Sequence, residues 1–117
     1  MNTHLSLLKY YEYGENKLLG FQRKYLRGLA HNLKPMVHLG QKGLTAGLVA
    51  SMNEALELHE LIKLKFLDFK EKSRKGELAG LIEQRTGAEL VGIIGNIAIF
   101  YRQQKDSEKR TISLPER

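Results

Sequence analysis

The sequence predicts an α/β (α+β) domain of three helices packed on a four-stranded mixed sheet, in the order αβαβαββ, and three observations carry that expectation. Apolar residues recur at helical spacing in three stretches, near residues 18–33, 45–56 and 73–85. Short apolar or alternating stretches lie between and after them, at 36–39, 61–69, 89–94 and 97–102. The chain of 117 residues is long enough for one core and too short for two, and it holds no internal repeat or interdomain linker.

Residues 1–17, MNTHLSLLKYYEYGENK, group Tyr10, Tyr11 and Tyr13 without a clear period, and Gly14 interrupts any helix, so they read as an N-terminal appendage to a domain over 18–102. In the first helix Phe21, Tyr25, Leu26, Leu29, Ala30 and Leu33 recur on one side and Arg23, Arg27 and His31 stand four apart on another. The apolar set, Phe21 and Tyr25 included, is expected to be core. Pro35 ends the helix because the residue before a proline is pushed out of the helical region.

Residues 36–39 form the first strand, and a turn over Gly40-Gln41-Lys42-Gly43 leads to Thr45, a plausible N-cap. Leu48, Val49, Met52, Ala55 and Leu56 make the stripe of the second helix. Over 61–69 alternation turns Ile62, Leu64 and Phe66 to one side and Lys63 and Lys65 to the other. A third helix over 73–85 points Leu78, Leu81 and Ile82 inward and stops at Gly87. Two strands then meet in a tight hairpin at Gly95-Asn96. Residues 103–117, a polar C-terminal tail with Ile112 and Leu114 as its only large apolar side chains, are expected to fray.

The segment KPMVHLGQKG, residues 34–43, carries the chemistry. A strand runs into a G-x-x-G turn at a helix N-terminus, an arrangement that presents backbone N–H groups and a lysine to a phosphate. Side chains at Gly40 or Gly43 would restrict the backbone and hold a sugar-phosphate chain away, while Gln41 and Lys42 reach outward from the tip. G-x-x-G turns also occur as plain connections, and the spacing does not separate the two readings. A control lies in the same chain: Gly92-Ile93-Ile94-Gly95 has the same spacing with an apolar tip and reads as a strand entering a turn.

Charge is segregated along the chain, whose formal net charge is +6. Residues 20–43 hold five basic residues, Arg23, Lys24, Arg27, Lys34 and Lys42, and no acid. Residues 44–62 carry only Glu54, Glu57 and Glu60 as charges, and 63–75 carry six basic residues against Asp68 and Glu71. Clustered Lys and Arg suit a polyanionic partner, because they release condensed counterions on meeting phosphates. A solvated basic face is the plainer reading of 63–75. With no cysteine, disulfides and thiolate metal sites are excluded. No apolar run approaches the ~20 residues of a membrane span, and the first 19 residues lack the core of a signal peptide, so a soluble cytoplasmic protein is expected.

Laid out in this way, the chain resembles the CRM domain family, whose stand-alone bacterial members are small YhbY-type proteins. The resemblance spans residues 18–102 and rests on Gln22-Arg23-Lys24-Tyr25-Leu26-Arg27 with Ala30-His31, then Lys34-Pro35 and the strand into Gly40-Gln41-Lys42-Gly43-Leu44-Thr45. His59-Glu60-Leu61-Ile62-Lys63 comes next, and a closing Ile94-Gly95 hairpin ends in Tyr101-Arg102. It implies a fold similar to the C-terminal domain of a bacterial translation initiation factor, RNA binding through a G-x-x-G loop analogous to that of KH domains, and association with ribosomal RNA in precursors of the large ribosomal subunit. The family's loop maps onto Gly40, Gln41, Lys42 and Gly43. Residues 1–17 lie outside the usual pattern.

On this reading Lys42 contacts phosphate, with Arg23, Lys24, Arg27 and Lys34 extending the basic surface on one flank and Lys63 and Lys65 on the other. His31 and His38 read as surface or RNA-proximal, and Tyr101 either stacks on a base or packs in the sheet. An enzyme is not expected: four residues after His59 stands Lys63 where a zinc-protease motif needs its second histidine, and no Walker A sequence is present. Neither cofactor nor metal is implied, and the absence of a dimer seam suggests a monomer. The alternative is a protein-binding adaptor on ribosomal particles that uses the acidic second helix or the N-terminal appendage and has no RNA clamp.

Overall fold

The computed structural model describes residues 17–68 and 71–116. The three expected helices are α1 (Gly20–Ala30), α2 (Ala46–His59) and α3 (Lys72–Thr86), and the strands are β1 (Val37–Leu39), β2 (Leu61–Phe66), β3 (Glu89–Ile94) and β4 (Ile97–Tyr101). Their order along the chain is αβαβαββ, with a short 3₁₀ turn, Ser107–Lys109, after the last strand. The tyrosine cluster of the expected appendage lies outside the described residues.

The sheet runs β1-β2-β4-β3. β1 and β2 are parallel neighbours and need the helical crossover that α2 supplies, whereas β3 and β4 form an antiparallel hairpin that returns β4 to the centre against β2. β1 and β3 are therefore the edges. Alternation along the strands divides the apolar side chains between two faces. Leu39, Ile62, Leu64, Phe66, Ala98 and Phe100 pack under α2 and α3 with Met52, Leu56, Leu78 and Ile82. On the opposite face Leu61, Val91, Ile99 and Tyr101 pack under α1 with Leu18, Leu26 and Ala30. The three helices do not share one layer: among the described residues α1 covers its face without a helical companion.

That layering corrects the expected core of α1. Leu26 and Ala30 are fully buried, but Phe21, Tyr25, Leu29 and Leu33 are each about 40% exposed. A lone helix on a sheet buries a narrow stripe, and among the described residues no second helix covers its outer side. Tyr101 packs in the sheet and is buried, which removes it as a stacking surface. Burial first, and then the charge of Glu60, push its hydroxyl up to about 12.

The C-terminal segment, expected to fray, is fastened instead. Glu60 ends α2 with a positive φ of 62°, and its buried carboxylate accepts hydrogen bonds from the Gln104, Thr111 and Ile112 backbone N–H groups at 2.7–3.1 Å and from the Thr111 hydroxyl at 3.1 Å. Burial alone would raise this carboxyl, but the hydrogen bonds outweigh burial and hold it below the ordinary carboxylate value. The segment then lays Ile112 and Leu114 against the α1 core. Arg102, just past β4, donates to Asn53 Oδ1 and the Thr86 carbonyl at 2.7 Å, joining α2 to the end of α3.

Candidate nucleic-acid interface

The turn between β1 and α2 is closed by a hydrogen bond from Gly43 N–H to the Gly40 carbonyl at 3.0 Å. Gly43 has a φ of +71°, a conformation that costs an L side chain about 1–2 kcal/mol. Its role is set by the backbone, since the space around it is open. Gly40 has no such strain; a Cβ there would meet Leu67 at an ordinary 3.8 Å. Gln41 and Lys42 are exposed at the tip.

Thr45 caps α2 as expected, its hydroxyl accepting from Leu48 N–H at 3.1 Å. Val49 N–H reaches the Thr45 carbonyl, so helix geometry leaves the N–H groups of Ala46 and Gly47 without an intrahelical acceptor. The first turn carries no acid. A groove of about 410 Å³ runs between the open edge of β1 at Met36–His38, the loop, and Gly47, Leu48 and Ser51 of α2. It combines an unpaired strand edge, a positive helix end and an exposed cation, a set of features that suits an anionic chain.

Among the described residues the flanking cations divide into free and engaged. Lys24, Arg27 and Lys34 are exposed on and after α1, and Lys65 is exposed on β2 beside His38, its register partner in β1. Arg27 rests its stem over Gly92, where a Cβ would lie 3.7 Å from Arg27 Cδ. Arg23 is engaged: its guanidinium pairs with Glu89 at 2.8 Å and donates to the Leu18 carbonyl at 2.7 Å. Glu89 also accepts from Leu18 N–H, and burial raises its carboxyl despite these partners. Lys63 is engaged too, donating to the Leu33 carbonyl at 2.8 Å and the His31 carbonyl at 3.4 Å, which fastens the end of α1 to β2. Lys63 and Lys65 thus do not act as a free pair.

Sequence reasoning missed the engaged state because Glu89, the acid that pairs with Arg23, lies 66 residues away and the carbonyls that hold Lys63 lie 30–32 away. It also missed a run of exposed apolar side chains. A hollow of about 720 Å³ sits between Leu29, Leu33, Met36, Leu61 and Ile112, and a shallower recess is bounded by Phe21, Lys24, Tyr25 and Pro115. Among the described residues no helix is long and apolar enough to cross a membrane.

An α/β domain with a polar-tipped G-x-x-G turn at a helix start is the class that fold and site define. Residues 18–102 match the CRS1/YhbY (CRM) domain. An "RNA-binding protein" of Haemophilus influenzae is 42% identical over 94 residues, covering 80% of this chain and 91% of its own length. The "Probable RNA-binding protein YqeI" of Bacillus subtilis is 35% identical over 98 residues, covering 84% and 99%. The solution structure of a Staphylococcus aureus protein aligns with a TM-score of 0.71 at 36% identity, covering 84% of this chain and 99% of that one. The chain belongs to the CRS1/YhbY (CRM) domain family.

Proposed function

We propose that this chain binds RNA by clamping a stretch of sugar-phosphate backbone between residues 40–43 and the start of α2, and that it associates as a monomer with precursors of the large ribosomal subunit in the cytoplasm. The observation that carries the reading is the open turn itself: Gly43 lets the backbone fold tightly, Ala46 and Gly47 offer N–H groups, and Lys42 stands at the tip with no acid in the first turn. Lys24, Arg27, Lys34 and Lys65 extend the field around it, while Arg23 and Lys63 support it from within the fold. Contacts of this kind bind the backbone and confer little choice of sequence. The names of the relatives support RNA as the partner, and the ribosomal assignment comes from the family resemblance. The chemistry asked of these residues is binding alone, so catalysis plays no part in the reading.

Binding of short single-stranded RNA, measured across a salt series, tests the clamp. Affinity should fall with a log-log slope near 0.7 per phosphate neutralised. Lys42→Glu should weaken binding to all RNAs similarly, about tenfold or more, lower the slope by about one, and leave the circular dichroism spectrum unchanged. Wild-type affinity in that variant would end the assignment of the loop. Sedimentation of tagged protein with large-subunit precursors, and its loss in Lys42→Glu, tests the ribosomal part.

A further inference from the structure

The recess on the outer side of α1 has the elements of a base-stacking site. Phe21 and Tyr25 are 38% and 41% exposed although they belong to the apolar periodicity of the helix. They stand one turn apart, a spacing that places their Cβ atoms about 5–6 Å from each other. Lys24 lies between them, and Gly28, next along the same side, adds no side chain that would cover the rings. Among the described residues the recess is lined by no acid, and none occurs in the sequence from residue 20 to 43.

The recess and the groove beside the loop both adjoin the same apolar hollow. Leu29 borders both the recess and the hollow, and Met36 borders both that hollow and the groove beside residues 40–43. The hollow, lined by Lys34, thus lies between the polar turn and the recess, which Lys24 lines.

We infer that Phe21 and Tyr25 form a second RNA contact, a platform on which bases of a single strand stack while Lys24 meets the adjoining phosphate. The inference rests on the RNA-binding reading above and adds to it what the loop lacks, a contact with bases. Exposed aromatic rings interleaved with cations hold single strands through the π faces that every base presents. A protein partner would be drawn by the aliphatic hollow more than by the rings, where the cation Lys24 favours an anionic ligand.

The test uses the full chain and a labelled 12-nucleotide oligoadenylate at low salt, with wild type, Phe21→Ala, Tyr25→Ala, Tyr25→Phe and Lys42→Glu compared. Each alanine variant should weaken binding about 5- to 150-fold with an unchanged salt slope, because stacking neutralises no phosphate. Tyr25→Phe keeps the ring and should bind within twofold of wild type. A flatter salt slope should appear only in Lys42→Glu. Alanine variants that bind as wild type while Lys42→Glu is impaired would overturn the platform and leave the loop standing. No binding by wild type, or none of the variants impaired, would overturn both. Alanine variants that hold RNA normally but leave ribosomal particles would show that the stripe docks a protein, which also overturns the platform. Unfolding curves matching wild type exclude loss of fold, and if either alanine variant unfolds early, Phe21→Leu or Tyr25→Leu, which keeps apolar bulk and helix propensity without a ring, replaces it.

Discussion

Two segments of this chain share the G-x-x-G spacing and have opposite fates. Residues 40–43 form a free turn with Gln41 and Lys42 exposed at its tip. In residues 92–95 the first three positions belong to β3 and pair with Ile99, Ala98 and Ile97 of β4, so the segment is fixed along one side by the sheet. Gly92 lies against the Arg27 stem, and only Gly95, with a φ of +60°, enters the turn. That turn is held from behind: the buried Lys75 of α3 donates to the Gly95 carbonyl at 3.0 Å and to Asn96 Oδ1 at 2.7 Å. Glycine spacing therefore does not define a binding loop. The element that begins after the second glycine does: a helix leaves backbone donors open, and a returning strand consumes them.

Removing Lys75 should break the second turn and leave the first untouched, and it carries the largest expected effect. Lys75→Ala leaves a carbonyl and an amide oxygen without their charged donor, at a cost of about 2–3 kcal/mol. Chemical denaturation should show that loss while RNA affinity stays at the wild-type value. A parallel loss of affinity would mean that the two turns are coupled through the sheet, and the contrast between them would fail.

Acid separates both turns from a third place, the C-terminal segment. The Glu60 carboxyl is held low in the folded protein, so it contributes stability above the ordinary unfolded value near 4.3, and that contribution is lost as pH falls through the lower folded value. Protection of the Gln104, Thr111 and Ile112 amides, taken relative to their intrinsic exchange at each pH, should therefore fall as pH drops through the lowered folded value, ahead of protection in either turn. Glu60→Gln should show fast exchange there already at neutral pH and lose about 1–2 kcal/mol. Unchanged protection at these three amides would mean that Ile112 and Leu114 hold the segment without the carboxylate.

Much of the fold was legible because local signals agreed with one another. The Thr45 cap, the 62-64-66 alternation and the Gly95-Asn96 hairpin each lie within a few residues of what they determine. The two turns were told apart for the same reason, since Ile93 and Ile94 announce a strand and Gln41 and Lys42 do not. What escaped depends on long-range placement. Helical periodicity shows which residues of α1 share a side, but not that the other two helices lie beyond the sheet and leave Phe21 and Tyr25 uncovered. A polar tail looks free until Glu60, 44–52 residues earlier, proves to be its anchor. Of the expected cations, Arg23 and Lys63 carry the same formal charge as Lys42, and only their distant partners reveal that they are engaged.

The finest discrimination comes from the glycines with positive φ, where the expected effect is smallest. Gly43→Ala and Gly95→Ala each place a side chain in the left-handed region, at φ +71° and +60°, with no atom within 4 Å for the new methyl to strike. The backbone strain is therefore the same in kind and size, about 1 kcal/mol in each, and unfolding should register both alike. RNA affinity should not: at residue 43 the strain loosens the turn that aims Lys42 and the first amides of α2, whereas at residue 95 it falls on a hairpin fastened by Lys75. Equal stability loss with a severalfold drop in affinity for Gly43→Ala alone assigns the difference to the position of the turn. Equal affinity in both would mean that the shape of the first turn is irrelevant to binding and that Lys42 acts only as a charge.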